Sequence, residues 1–512
     1  MARKSLLPRR RQRDEDRLSA LPDDLLLHIL GRLDTRSALG AGAISRRWAH
    51  LPRELPVLDL KVTDALPPRY RRSLVLRRQA RRSIWVREYV QMLNPVASRY
   101  ERRAMRAMVA SVQGLLLTRR PRRLDRLSLE IFAYSSSEAC INRLIVNAVD
   151  SWGVRDLEVV ATPPTGPIVP APPVYRLPRG RISRDPGASR LQSLKLANCL
   201  PPPLQGFTAL STVVLQDLPD STPAAVYEGV VAACPRLQVL HLISCCLKRG
   251  TRRAVFDAPM SEIRELVIDG HLMAIELRSL PKLQSLSTSH ASVFLCSGAA
   301  PRLASLNLVF TVGRLEGHKL AGLNRMELNR IAKILTGFFK GAESMTDLVL
   351  RFTGPDMWIA RKNPFPLMPN LRKLLVADVP SSWDVSWPHL LVEAAPLLES
   401  LYVHAPQCDE HSRQEIAPLQ QPSTWRRHRH LKELVVIGFQ RTDKQLLQLV
   451  RLTAEVSIAL RRVALFKHGH VEEKGPCDWE VVSHHSSWSN QEKQTVLDGI
   501  CSSTASLQVV FG

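Results

Sequence analysis

The sequence has no CxxC pair: nine cysteines are spread over 512 residues, and the only adjacent two are Cys245 and Cys246. That pattern argues against a disulfide scaffold and for a reducing compartment. No apolar run reaches the length of about 20 residues that spans a bilayer. A signal-peptide core is also missing, because Leu6-Leu7 runs at once into Pro8 and arginines. The expectation is a cytoplasmic or nuclear protein with no membrane association. There is no P-loop, no GxSxG, no HExxH and no kinase-type set. Carboxylate pairs such as Glu472-Glu473 have no acid or base partner in view. His468, His470, Cys477, His484 and His485 crowd the tail, yet structural zinc needs tight ligand pairs on firm turns, and only one cysteine is present there. His404, Cys408 and His411 are a weaker set still. The residues point to a non-enzyme with no metal and no cofactor.

Acidic residues are scarce at one end. Residues 1–123 carry 29 Lys/Arg against 11 Asp/Glu, which leaves only +6 of the net +24 for the remaining chain. Residues 1–17 read as a basic disordered arm, in which Arg9, Arg10, Arg11 and Arg13 form either a nuclear-import patch or a solvated charge run. In the arginine-rich stretch 67–123, Met105, Met108, Val109, Val112, Leu115 and Leu116 keep helical spacing. An amphipathic linker helix explains this pattern. Its arginines, with Trp85, Tyr89 and Tyr100 for stacking, also allow a nucleic-acid or anionic-lipid surface.

The organising stretch is 18–51, LSALPDDLLLHILGRLDTRSALGAGAISRRWAHL. Pro22 suits a helix start, where its missing N–H would be unpaired anyway. Asp23 and Asp24 then face the positive end of the helix dipole. Leu25, Leu26, Ile29, Leu30 and Leu33 form an apolar stripe. Thr35 is placed to cap a second short helix. Ile44, Trp48 and Leu51 share one face of a third. So small a unit cannot bury all that leucine, and the surplus implies a partner. An unrelated three-helix unit, for instance a helix-turn-helix, is the competing reading.

The LPDDLLxxIL opening and the SRRW close resemble the F-box of plant substrate receptors. The match rests on Leu21, Pro22, Asp24, Leu25, Leu26, Ile29, Leu30, Leu33, Thr35, Ala38, Ile44, Ser45, Arg46, Arg47, Trp48 and Leu51. Two departures stand out: Asp34 replaces the usual proline, and Gly40 and Gly42 enter a helix normally free of glycine. The resemblance implies docking on the Skp-type adaptor of an SCF ubiquitin ligase, with a cullin beyond it. The residues it assigns to docking are Leu21, Pro22, Asp24, Leu25, Leu26, Ile29, Leu30, Leu33, Ile44 and Trp48. Leu55-Pro56-Val57-Leu58-Asp59-Leu60 then reads as an exit strand.

From Leu124 a hexad recurs: leucine, two others, apolar, one other, apolar. It reads LDRLSL (124–129), VRDLEV (154–159), LQSLKL (191–196), LSTVVL (210–215), LQVLHL (237–242) and IRELVI (263–268). It returns as LQSLST (283–288), LASLNL (303–308), MTDLVL (345–350), LRKLLV (371–376), LESLYV (398–403) and LKELVV (431–436). The LxL alternation sends both apolar residues to one face of a short strand, and the spacing is that of leucine-rich repeats. Each unit buries that face only by stacking on its neighbours. Pro235, Pro281, Pro301, Pro369 and Pro396 precede strands, where they stop the preceding convex segment. Cys199 and Cys245 read as core residues. Convex helices are expected at 138–150 and 324–340. Residues 431–466 (strand, GF turn, helix, strand) resemble the FBD-type C-terminal segment of the same plant families, and the tail has a further helix from Asn490 to Ile500.

The expected fold is α/β: a three-helix F-box followed by an irregular leucine-rich-repeat solenoid of short parallel strands with convex helices. Its segments are an arm at 1–17, the F-box at 18–60, a basic helical linker at 61–123 and the array at 124–430, interrupted by loops at 161–187 and 353–369. A capping segment at 431–466 and a tail at 467–512 complete it. On the open strand face the candidate substrate-binding residues are Lys195, His241, Asp269, Asp347, Arg351, Tyr402 and His404. Their mixed signs suit a protein target, whereas a nucleic-acid groove would be uniformly basic. The leading expectation is a substrate-recognition adaptor of an SCF ligase that holds an unknown target protein. The alternative is a nucleic-acid-associated repeat scaffold using residues 67–123.

Overall fold

The computed structural model describes residues 21–42, 48, 50–80, 87–117, 123–165, 174–178, 182–270, 273–311, 335–353, 366–379, 386–406, 427–439, 444–484, 486–500 and 507–512. The basic arm, Ile44, residues 354–365 and His485 lie outside that set. The chain forms two compact units. One is Met1–Val169 with Ile182–Asp185 and Ser189–Leu191; the other takes Gln192–Gly512 with Pro170–Arg181 and Pro186–Ala188.

The first unit starts with the helix Asp23–Leu30, whose first turn carries Asp23 and Asp24. The Pro22 carbonyl accepts from the amides of Leu25 and Leu26, so proline sits where its own missing donor costs nothing. The second helix is Thr35–Ala41, and its cap is Asp34 rather than Thr35: the Asp34 carboxylate accepts the Ser37 N–H at 2.9 Å. A capping oxygen has to reach an amide two or three residues on, and Asp34 is one residue better placed. Thr35 Oγ1 instead accepts the Asp59 N–H at 2.9 Å, tying this helix to the strand Val57–Lys61. Gly42 falls at the helix end in a helical conformation, where it does not interrupt the helix. The expected third helix falls mainly on residues 43–47, outside the described set; the short 3-10 turn Leu51–Arg53 follows. Leu26, Leu30, Ala38, Ala41, Trp48, Leu51 and Leu55 close into one core.

Val57–Lys61 pairs in parallel with Arg126–Phe132, and that strand with Asp156–Thr162. The register sets Leu58, Leu127 and Leu157 side by side, and likewise Leu60, Leu129 and Val159. The helices Pro68–Ala80, Arg87–Leu116 and Ser135–Asp150 pack in sequence beside them. Ala97, Ala104, Met105, Met108 and Val112 are the buried stripe of the long helix, as amphipathic spacing requires. The first two hexads therefore belong to the same compact unit as the basic helices.

The second unit is built on a ladder of parallel strands in chain order. They are Ser193–Ala197, Thr212–Gln216, Val239–Ile243, Glu265–Asp269, Ser285–Ser289, Ser305–Thr311, Asp347–Thr353, Lys373–Ala377, Ser400–His404, Glu433–Ile437 and Arg462–Phe466. The tail adds Gln508–Phe511 after Arg462–Phe466, so the ladder continues beyond the segment expected to cap it. Each hexad places its third residue at a strand start. Leu194, Val213, Leu240, Leu266, Leu286, Leu306, Leu348, Leu374, Leu401 and Leu434 consequently share one register row, all buried. Each buried leucine contributes roughly 1.5–3 kcal/mol, but only because a neighbouring copy covers it.

Six strand exits share one conformation. Asn198, Asp217, Ser244, His290 and Asp378 each follow a strand with φ between 50° and 58°, and Gly438 does so with φ 82°. Asn and Asp tolerate this left-handed turn better than most side chains. The turn aims backbone amides at the next strand: Asn198 N–H meets Gln216 O, and Gly438 N–H meets Phe466 O. Connections between the strands include the helices Ala224–Ala233, Ser386–Ala394 and Lys444–Val456. Of the helix expected at 324–340, residues 335–341 are helical and the rest lie outside the described set. Ala254–Asp257, Ala274–Ser279 and Ser292–Leu295 form a second small parallel sheet that hexad spacing does not reveal. Cys199 and Cys245 are fully buried, and burial pushes the Cys245 thiol up to about 12. Among the described residues no helix is long and apolar enough to cross a membrane.

Candidate functional site

Two surfaces stand out, one in each unit. On the first helix, burial splits the apolar stripe by position. Leu26 and Leu30 are fully buried in the local core, while Leu25 is 51% exposed, Ile29 37% and Leu33 45%. The stripe is wider than the core it covers, and its outer edge stays in water. Pro22 and Asp24 are exposed beside it, Leu21 packs against the core, and Trp48 is buried in it.

The second surface is the open face of the ladder. Pairing aligns rows of side chains there. One runs through Lys195, Val214, His241, Val267, Ser287, Asn307, Val349, Leu375, Tyr402 and Val435. A second passes through Ala197, Gln216 and Ile243, then through Asp269, Ser289, Val309, Arg351 and Ala377. All seven residues expected to bind a target sit on this face, but it is not uniformly free. A hairpin of the tail, His468–Glu473 paired antiparallel with Trp479–His484, lies over its C-terminal part. Val471, Trp479 and Val481 cluster there with Val349, Leu375, Ala377, Val435, Ile437 and Ala464. Trp479 stands edge-on to Tyr402 with ring centroids 4.9 Å apart, and Lys373 Nζ lies 4.0 Å from the Trp479 ring centre. Burial raises the Tyr402 hydroxyl to about 12, and it donates to Glu433 Oε2 at 3.0 Å.

The turn of the hairpin reaches further along the face. Asn307 Nδ2 donates to the Pro476 carbonyl at 2.8 Å, and Arg351 Nη2 lies 3.3 Å from Glu473. Cys477 is tucked against the Leu286 carbonyl, and burial lifts its thiol to about 11, so it stays neutral. Between turn and strands remains a cavity of about 500 Å³. It is lined by His241, Ile243, Val267, Asp269, Ser287, Ser289, Asn307, Val309, Arg351 and residues 473–476. His241 and Glu265 are 2.6 Å apart, and His290 lies 3.0 Å from Asp269. Asp378 joins Arg351 at 3.0 Å and His404 at 3.1 Å. Burial alone would raise the Asp378 carboxyl, but hydrogen bonding from His404 and the Arg351 charge outweigh it and hold it below the usual range. Of the expected residues, His241, Asp269 and Arg351 meet at the cavity. Tyr402 lies under the hairpin, and His404 is buried against Asp378. Lys195 and Asp347 are on the face away from the cavity lining. Among the described residues no three His, Cys, Asp or Glu gather as a metal would need.

Residues 18–54 match the F-box-like family model. This segment is an F-box-like domain. The chain is similar to F-box/FBD/LRR-repeat protein At5g56420 of Arabidopsis thaliana, 45% identical over 67 residues, which cover 12% of this chain and 16% of that relative. It is also similar to F-box/FBD/LRR-repeat protein At2g26030 (45% over 49 residues, 10% of this chain and 11% of the relative) and F-box protein At1g60400 (43% over 49 residues, 10% and 12%) from the same plant. The chain therefore spans about a tenth to a sixth of these relatives' length in the match, and the match covers the F-box alone. Within the F-box, the residues assigned to docking divide into an exposed set, Pro22, Asp24, Leu25, Ile29 and Leu33, and an inner set, Leu26, Leu30 and Trp48, that builds the core. Sequence reasoning missed the hairpin residues Glu473, Pro476 and Trp479. The signal was present: HGHVEE and WEVVSH are short segments flanking a Lys474-Gly475-Pro476 turn.

Proposed function

We propose that this chain is a substrate-recognition adaptor of an SCF-type ubiquitin ligase. The observation that carries the reading is the exposed edge formed by Leu25, Ile29 and Leu33 beside the buried F-box core. Such an edge is a seat for an apolar partner groove, here the Skp-type adaptor, which links to the cullin. The second unit is read as a leucine-rich-repeat solenoid whose open face holds a target protein. The chain performs no chemistry. It holds target and loaded enzyme together, and effective concentration does the rest.

The test is co-purification of a Skp-type adaptor with the full-length chain. Wild type retains the adaptor, and Leu25→Asp loses it. Because Leu25 is half in water, the variant folds. An adaptor that ignores wild type, or binds Leu25→Asp equally well, ends this assignment.

A further inference from the structure

The tail hairpin is an excursion that the ladder does not need for its own continuation. At six other ladder strands the chain leaves through a left-handed turn. After Arg462–Phe466 it runs out over the open face instead and comes back. His468 and His484 are paired, so the two ends of the excursion lie side by side. The next ladder strand, Gln508–Phe511, pairs with Arg462–Phe466 and not with the hairpin. His468–Glu473 and Trp479–His484 form a two-stranded sheet of their own.

Period-two alternation gives the hairpin two unlike faces. Val471 opposite Val481, and Glu473 opposite Trp479, turn toward the ladder. His470, Glu472 and Glu480, on the alternate positions, are exposed. Gly469 brings the backbone close: a Cβ there would stand 3.0 Å from Ile437 Cγ2. The surface beneath answers group for group. Tyr402 and Lys373 take the Trp479 ring, and Arg351 meets Glu473. Val349, Leu375, Val435 and Ile437 form an apolar bed in the same cluster as the two valines. An apolar bed rimmed by charge, with an aromatic ring and an arginine as anchors, has the make-up of a binding interface. Burial is one-sided. Leu375 and Ile437 are fully buried, whereas Val471 is the one buried residue among 468–484. A segment with so few buried groups opens at lower cost than the ladder strands do.

We infer that this hairpin is an autoinhibitory strap. It occupies the part of the ladder face that seats the target, and the target seats by taking its place. The inference rests on reading the ladder face as the target surface. It also states what that face accepts: an extended or hairpin segment that offers an aromatic ring to Tyr402 and Lys373, a carboxylate to Arg351 and aliphatic side chains to the bed.

The probe is a synthetic, head-to-tail cyclised peptide of residues 468–484, titrated by calorimetry against the full-length chain. Cyclisation is needed because an isolated two-stranded hairpin is marginally stable in water. Wild type is expected to ignore the probe, since tethering holds the strap at an effective concentration on the order of millimolar. Trp479→Ala, which loosens the strap, binds the probe at least tenfold more tightly than wild type does. So does a variant in which a Gly-Gly link replaces residues 469–483, a closure that the pairing of His468 with His484 allows. On this shortened chain, a probe carrying Trp479→Ala binds at least tenfold more weakly, and one carrying Glu473→Lys is also weakened. Equal binding by wild type and both variants, binding by neither variant, indifference to both probe changes, or lost amide protection at Glu433–Ile437 in the shortened chain overturns the proposal. Adaptor co-purification on the same preparations separates the two readings. Adaptor capture without probe binding removes the strap alone, and probe binding without adaptor capture removes the ligase role alone.

Discussion

Gly438 shows how much rides on a single position. It follows a strand with φ 82°, and a Cβ there would lie 1.8 Å from the Ala405 carbonyl oxygen. Gly438→Ala is both strained and sterically blocked, so it costs more than about 1 kcal/mol, and a lowered melting temperature measures the loss. The Gly-Phe pair was legible as a turn, but the backbone that crowds it comes from another strand. Asp34 makes a related point: Thr35 was the expected cap, but its hydroxyl accepts the Asp59 amide that the fold brings in, and Asp34 caps the helix instead. Glu101 was not legible as a core group. It is 1% exposed and accepts from Tyr70, Tyr134 and the Thr165 amide, which lie 31, 33 and 64 residues away. His389 carries the pH prediction. Burial lowers its imidazole to about 3 from an ordinary 6.5. The unfolded chain therefore binds the extra proton first as pH falls, and stability drains away from about pH 6.5 down toward 3. His389→Leu flattens that part of the melting-temperature profile; an unchanged slope means that His389 is not the group responsible.

At the level of elements, the hexads were sufficient to place twelve strands of the ladder. A strand of period two buries alternate residues whatever its partner is, so LxL marks both the strand and its inward face, and the register keeps every such leucine in one row. The hairpin was hidden for the opposite reason. Its own alternation is short and polar, and what holds it is remote: Asn307 and Pro476 are 169 residues apart. Trp479 is the anchor, packed between Tyr402 and Lys373. Trp479→Ala removes that anchor but none of the ladder's own hydrogen bonds. Deuterium uptake is expected to rise across 468–484, while the amides of Glu433–Ile437, paired with strands on both sides, keep their protection. Uptake rising equally in both segments would mean that the hairpin is part of the ladder's stability rather than a cover on its face.

For the whole molecule, the decisive property is that two unlike surfaces share one chain. The F-box edge is apolar and belongs to one compact unit; the cavity combines largely apolar walls with balanced charges and belongs to the other. The first was legible because leucines outnumbered what a small core can hold. The second was legible only as a face, since a cavity depends on which rows a distant hairpin covers. If the chain acts by proximity, both surfaces must act in cis, since linkage raises local concentration only within one molecule. Two variants separate them: Leu25→Asp with Ile29→Asp damages the edge, and Val267→Trp fills the cavity. Each is expected to keep the binding that the other loses. Mixed in equal amounts with adaptor, cullin, loaded enzyme and a target protein held on the ladder face, they are expected to transfer no more ubiquitin than either alone. Restored transfer in the mixture would show that the two sites need not reside on one molecule, and tethering would not be the mechanism.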